Sequence, residues 1–362
     1  MADNSAIMED RVVVTVGGME ITGWKNFSVK RAMEGLAASF SVGIVNPTSW
    51  EASKILAVGE ACTIAVENSL GERTTLVTGY IDKRTRKRTG TGTEFQVNGR
   101  DKTGDLVDCA AIRSSGTWTS ADLRQICRDL CKPYGIEVIA QNYNGEKFQK
   151  FTLQSGESAF QAIERACRMR ATTPLTDPQG RLVLSRAIDQ THAVQTLVDN
   201  PETGNLLEIS EDEDSAERFQ EYVVKGQGQG DGGSWDDSST APTGKAKDPN
   251  VGRFRQVIIM AEGKATSTTC KLRATWEAQV RAGRAKTYTA TVRGWFQNGT
   301  GPIWDINQQV DIVSSAWELN SRLLVTGVEY TLDENGRKTV LELKHPDTYK
   351  PDPTEPTKEE SK

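Results

Sequence analysis

Cysteine and histidine are the residues best able to bring metal or nucleophilic chemistry to a chain, and their spacing here argues against both. There are six cysteines (Cys62, Cys109, Cys127, Cys131, Cys167, Cys270) and two histidines, His192 and His345. Only Cys127 and Cys131 are near neighbours. They stand i,i+4 on a predicted helix whose apolar face also carries Leu123, Ile126 and Leu130, so both thiols are expected in the core. A zinc site would need further ligands at short spacing, and neither histidine lies beside a cysteine pair. No metal and no cofactor is therefore expected, and the thiols should stay reduced in a long chain without an export signal. The nucleophile elbow, the P-loop, the HExxH helix and the dinucleotide fingerprint are all missing from the sequence. Carboxylates are plentiful, but nothing selects one pair for acid–base work. The expectation is a protein that is not an enzyme, with no catalytic residues.

Two charged runs remain. Lys83, Arg84, Arg86, Lys87 and Arg88, with Arg73 nearby, fall in a predicted hairpin and read as a solvated strand end rather than a phosphate site. Glu208, Glu211, Asp212, Glu213, Asp214 and Glu217 read as a solvated acidic face able to complement a basic partner. The 362 residues carry a formal charge of −5, so no stable nucleic-acid binding is expected. Mean hydropathy is −0.51 and the longest apolar run, Val257 to Ala261, is far short of the roughly 20 residues of a membrane span. The first residues do not read as a secretory signal, so the protein is expected to stay in the cytosol where it is made or to leave without the general export route.

The elements that position these residues are mostly short strands. Arg11–Val16, Trp24–Lys30, Ser39–Val45, Cys62–Glu67, Thr75–Arg84 and Glu94–Gly99, separated by Gly and Asn turns, predict a small antiparallel barrel over 11–100. Residues 101–205 read as an α/β module: a helix from an Ser120 N-cap through Leu130, a second helix opened by Ser155 and Glu157, and a hairpin turning at Asp177–Gly180. Residues 206–226 read as a returning strand region, 227–252 as a flexible loop poor in apolar residues, and 348–362 as a disordered proline-rich tail. Between them, 253–347 holds a helix near Thr268–Arg284, with Leu272, Trp276, Gln279, Val280 and Gly283 along one side, then a second set of barrel strands. The fold class expected is mainly β with α+β: two related small antiparallel β-barrel domains plus a small α/β module.

The two β regions look duplicated. Val58–Val66 resembles Ile306–Val313, and Leu76–Gly79 repeats as Leu324–Gly327, both at an offset of 248 residues. A charged hairpin and another alternating strand follow each LVTG, Glu94–Val97 against Val340–Leu343, with the second hairpin two residues shorter. Gly79 and Gly327 lie inside strands, where glycine marks a bulge or bend.

Three stretches make the chain resemble a known family. Gly99–Ala110 (GRDKTGDLVDCA), Ile126–Gly135 (ICRDLCKPYG) and Phe219–Gly226 (FQEYVVKG), with Thr78–Asp82 (TGYID), are similar in order and spacing to the contractile-tail baseplate hub proteins of phage Mu and Mu-like prophages. The resemblance spans about residues 11–350. It implies a homotrimeric ring at the tail tip, like the T-even hub and the hub part of type VI secretion spikes. Such a ring joins a hexameric tail tube to a trimeric central spike, beside other baseplate proteins, in a virion assembled in the host cytoplasm. A peptidoglycan-binding or peptidoglycan-degrading tail enzyme, and the hub of a prophage-derived injection machine, are the alternatives.

A closed head-to-tail ring needs a contact from the second β-domain of one chain to the first of the next. Exposed strand edges commonly make such joints. The strands after each LVTG, Tyr80–Arg84 and Val328–Leu332, are the expected ring-forming or tube-facing surface, with Tyr80, Asp82, Val328 and Tyr330 as its candidate residues. The glycine-rich stretch sets a separate expectation. Limited proteolysis should cut first within 226–252 and leave two fragments that stay associated; early cuts within 11–100 would contradict this reading.

Overall fold

Alternating apolar residues separated by glycine turns make the first strands, and their register follows from which face is buried. A computed structural model describes residues 10–45, 54–90, 92–140, 145, 147–170, 172–185, 193–200, 202–226, 242–261 and 265–350. It divides into two compact units, the first comprising 1–209, 290–321 and 325–342, the second 210–289, 322–324 and 343–362.

The first unit opens with β1 (Arg11–Val16), β2 (Met19–Ile21), β3 (Asn26–Ala32), β4 (Ser39–Val45), β5 (Ala61–Glu67), β6 (Arg73–Thr89) and β7 (Gly92–Asp101). The α/β module follows with α1 (Gly104–Asp108), β8 (Thr117–Asp122), α2 (Leu123–Cys131), β9 (Val138–Ala140), β10 (Lys147–Thr152), α3 (Ala159–Arg168), β11 (Thr173–Thr176) and β12 (Leu182–Ser185). Next come β13 (Thr196–Asp199) and β14 (Leu206–Glu213); β18 (Lys286–Arg293), β19 (Gln309–Ser314), β20 (Leu319–Asp333) and β21 (Gly336–Lys344) complete the β framework. Some of these last strands run a few residues into the second unit.

The sheet order is β14-β18-β21-β20-β3-β4-β7-β6-β5-β1-β2, with β19 beside β20 and β13 beside β19. The order β3-β4-β7-β6-β5 in the first half and β14-β18-β21-β20-β19 in the second are the same arrangement, met in the same chain order. The duplication is thus a matter of topology as well as of sequence. β13 takes the place of β1, but it runs parallel to its neighbour where β1 runs antiparallel.

The structural repeat does not superpose the two LVTG segments. Gly59 N donates to Ile81 O and Ile81 N to Glu60 O; in the second copy Asn307 N donates to Val325 O and Val325 N to Gln308 O. These matched bonds equate Gly59 with Asn307, at the expected offset of 248, but Ile81 with Val325, at 244. The hairpin ends agree, since Thr89 pairs with Gly92 and the second copy turns between Asp333 and Gly336. The hairpin expected to be two residues shorter in the second copy is therefore matched in length, and the deletion lies in the preceding turn. A slide of four keeps every side chain on its own face, because faces alternate with period two, and sequence matching alone does not detect it. Gly79 instead fits a close approach: a Cβ there would stand 1.9 Å from Arg100 O.

The module's core packs α2 and α3, with Leu123, Ile126, Cys127, Leu130 and Cys131 all buried. Both helices start later than their sequence signals suggest. Asp122 caps α2 by accepting from Gln125 N at 2.8 Å, while Ser120 sits in β8 at φ 52°. Ser158 caps α3 and forms a reciprocal capping box with Gln161. The Asp177 turn is as expected, with its carboxylate accepting from Gln179 N and Arg181 N.

In the second unit, β15 (Glu221–Lys225) lies between β16 (Thr243–Lys247) and β17 (Gln256–Met260). The sheet is covered by α4 (Ser267–Arg284). β16 falls inside the segment expected to be loop. It forms because Gly244 lets the strand lie against α4, where a Cβ would come within 2.1 Å of Lys271 N, and because Arg218 pairs with Asp248 at 2.6 Å. Residues 227–241 lie outside the described residues. Of the residues expected along one side of α4, Val280 and Gly283 are buried while Leu272 is 47% exposed; Cys270, Ala274 and Ala278 form the side packed on the sheet. The tail expected from 348 begins later, since Thr348 is buried against Gly283 and Trp276 Nε1 donates to Lys350 O. Residues 351–362 lie outside the described residues, as does His192. His345 accepts from Asp347 N and starts a short 3-10 turn.

All six cysteines are free, and five are buried. Burial pushes the Cys62 thiol up to about 12 and the Cys127 thiol well above its ordinary value, the latter aided by Cys167. Since the thiolate is the reactive form, a disulfide-exchange reagent should label native protein readily at Cys109 alone and reach the other five only on unfolding. Rapid labelling of all six without denaturant would contradict this packing.

Candidate assembly surface

The two β copies meet inside one chain. β3 of the first pairs antiparallel with the second half of β20, Ala32 opposite Gly327 and Phe27 opposite Leu332. Polar contacts fix that register. Ser28 Oγ donates to Glu329 Oε1 at 2.7 Å, and the buried Arg31 donates to Asp305 Oδ1 at 2.7 Å and to Thr176 O at 2.9 Å. Burial opposes the Arg31 charge, but Asp305, together with Tyr330 and Asp101, more than offsets it and holds the guanidinium above its ordinary value. Tyr330 is fully buried, with its hydroxyl donating to Trp304 O; burial raises its pKa, and the nearby Asp305 adds to that.

A second buried polar group ties the module to the first copy. The Asp101 carboxylate accepts from Ala38 N at 3.0 Å, Thr103 N at 2.8 Å, Thr103 Oγ1 at 2.5 Å and Thr176 Oγ1 at 2.7 Å. Burial raises its pKa against those four hydrogen bonds. Thr176 therefore serves both anchors, its carbonyl taking Arg31 and its hydroxyl meeting Asp101.

The four residues expected at an exposed joint are not brought together. Val328 and Tyr330, opposite Arg31 and Val29, have side chains inside the chain, and their strand is flanked by β3 and β21. Tyr80 is half-buried and paired on both sides, with Ala61 and Arg100. Asp82 is exposed at a break in register between Ile81 and Lys83, and accepts from Arg100 Nε at 2.8 Å. The edge expected in the second copy is filled from within because β3 of the same chain occupies it.

Several strand edges stay open among the described residues, β2 and β13 among them, and two of these edges carry charge. β5 accompanies β6 only as far as Tyr80 and Ile81, leaving the outer side of Lys83–Arg88 without a strand. These residues are largely exposed, with Lys87 3.9 Å from Glu94 across the hairpin and Arg84 donating to Leu56 O. β14 ends the sheet at its other side; Lys286 reaches Glu211 and Glu213 at 3.3 Å each, and Glu208 and Asp212 are exposed. The two charged runs singled out in the sequence both lie on open strand edges. Among the described residues there is no group of three His, Cys, Asp or Glu placed to hold a metal ion, and no helix is long and apolar enough to cross a membrane.

Comparison with known proteins agrees with this architecture. Three family models match in sequence order: "Mu phage baseplate assembly protein GpP-like, N-terminal" over 11–101, "Baseplate hub protein gp44-like, second domain" over 103–186, and "Mu phage baseplate assembly protein GpP, fourth domain" over 266–352. Baseplate hub protein gp44 of Escherichia phage Mu is 36% identical over 346 residues, 93% of this chain and 88% of that protein. The 43 kDa tail protein of prophage MuSo2 from Shewanella oneidensis superposes with a TM-score of 0.80 at 28% identity, covering 94% of this chain and 99% of that one. A tail protein from Neisseria meningitidis MC58 shares the fold, with a TM-score of 0.80 at 22% identity over 95% and 99% of the two chains. The class defined is a structural component of a phage tail baseplate. The chain belongs to the family of Mu-like baseplate hub proteins.

The intrachain joint can be tested by removing its buried contacts. Arg31→Ala leaves Asp305 and the Thr176 carbonyl without their donor and should lower unfolding free energy by on the order of 3 kcal/mol. Tyr330→Phe, which orphans only the Trp304 carbonyl, should lower it by about 1–2 kcal/mol. Urea titration measures both; an Arg31→Ala protein as stable as the parent would show that the joint is not held this way.

Proposed function

We propose that this hub protein works as a homotrimeric ring that adapts a sixfold tail tube to a threefold central spike, with no bond-making step of its own. The observation that carries this reading is the double occurrence of one five-strand arrangement in each chain. Three chains would then present six similar β surfaces on one side, while the single α/β module and the single second unit per chain repeat three times. A head-to-tail contact that closes after a fixed rotation gives a ring rather than a filament. The partners are the chain itself, a tail tube protein, a central spike protein and other baseplate proteins, and assembly takes place in the host cytoplasm before the particle is complete.

Light scattering of purified protein at micromolar concentration, alone and with tube and spike proteins, tests the stoichiometry. The expected mass is three chains, with ring-shaped class averages in electron microscopy. A monomer under every condition, or a ring of another number, would overturn the adaptor role.

A further inference from the structure

A separate group of cations lies on the α/β module, away from the β framework. Arg124, Arg128 and Lys132 follow one another at intervals of four along α2, and the backbone stays helical through Lys132, so the three share one face. All three are exposed. Like charges at this spacing repel one another. The helix macrodipole favours cations at Arg128 and Lys132, near the C-terminal end of α2, but disfavours one at Arg124, in its first turn. Helix stability therefore does not account for the row. Ion pairing does not either: among the described residues no carboxylate pairs with any of the three, whereas Arg113 takes Asp129 and Arg181 takes Asp177.

The row borders a groove of about 570 Å³ whose other wall is β9. β9 ends the sheet β11-β12-β9 and pairs only with β12, in parallel, Val138 opposite Leu182 and Ala140 opposite Leu184. Leu182 N donates to Glu137 O. In such a ladder the backbone groups of Glu137 and Ile139 turn to β12, and those of Val138 and Ala140 turn away from it. No residue of β12 lines the groove, which therefore runs along the free side of β9. We infer that this groove receives an extended acidic segment of a partner protein, which adds a strand to β9 and sets its carboxylates against Arg124, Arg128 and Lys132. The spacing fits. Four helical residues rise about 6 Å and alternate residues of a strand lie about 6.7 Å apart, so acidic residues at every second position meet successive cations. A nucleic acid would use the cations but leave the donors and acceptors of Val138 and Ala140 unmet, whereas a peptide strand satisfies both. A second copy of this face would set cations against cations. The chain's own acidic end carries Pro351, Pro353 and Pro356, which lack the N–H groups a ladder needs.

The test uses the full-length protein and a fluorescently labelled peptide of alternating glutamate and threonine, followed by anisotropy at low ionic strength. The peptide should bind, and Arg124→Glu with Arg128→Glu should weaken binding by at least about tenfold. N-methylation of the peptide's backbone nitrogens, which removes the ladder donors and keeps every charge, should weaken it by a similar factor. A peptide that does not bind, or that binds equally well to the variant or after methylation, would overturn the proposal. A single-stranded oligonucleotide that displaces the peptide and binds more tightly would overturn it too, in favour of a site for polyanions. Hydrogen exchange on the unmutated protein covers the case of a variant that misfolds. The amides of Val138 and Ala140 should exchange more slowly once the peptide is added, and unchanged exchange there would overturn the strand pairing. None of these outcomes depends on the number of chains in the ring.

Discussion

The antiparallel pairing of β3 with the second half of β20 is the contact on which the molecule's architecture depends. It joins segments some three hundred residues apart in sequence and turns two copies of one strand arrangement into a continuous sheet. Loop closure over that distance is entropically unfavourable, so the pairing needs more than ladder hydrogen bonds. The buried Arg31, shared between Asp305 and Thr176, supplies a charged contact with one satisfactory geometry. A slip of one residue would turn Phe27, Val29 and Arg31 to the wrong face.

That joint also explains how one chain can hold three kinds of structure without disturbing the repeat. The α/β module enters after β7 and is fastened through Asp101 and Thr176, and β15, β16, β17 and α4 enter between β14 and β18, the counterparts of β3 and β4. Insertion at hairpin connections leaves the strand order of each copy unchanged. The result is a chain whose β part is twofold repetitive and whose other parts are single.

Much of this was legible in the sequence, and what was hidden had physical causes. The apolar face of α2 and the Asp177 turn leave marks within a few residues, and both were read correctly; the capped helix starts were misjudged by two or three positions because Ser120 and Ser155 carry the same local signal as Asp122 and Ser158. β16 was read as loop because Gly244 and its lysines signal flexibility, whereas the glycine is there for contact with α4. The inner face of α4 is only partly legible, through Val280 and Gly283, because Cys270, Ala274 and Ala278 are small and the exposed Leu272 outweighs them in a periodicity count. The β3–β20 joint was invisible, since a long-range register leaves no local trace, and Val328 and Tyr330 were consequently placed on an outer surface. The charged runs were noticed but taken for solvated faces; only the strand order shows that both lie on open edges.

A cryo-EM map of the tail tip, at a resolution that separates strands, tests the central claim most directly. The proposed ring predicts six similar β copies around the axis from three chains, with β3 of each chain paired to the second half of its own β20. A map with another number of copies, or with β3 and β20 of one chain apart, would contradict it.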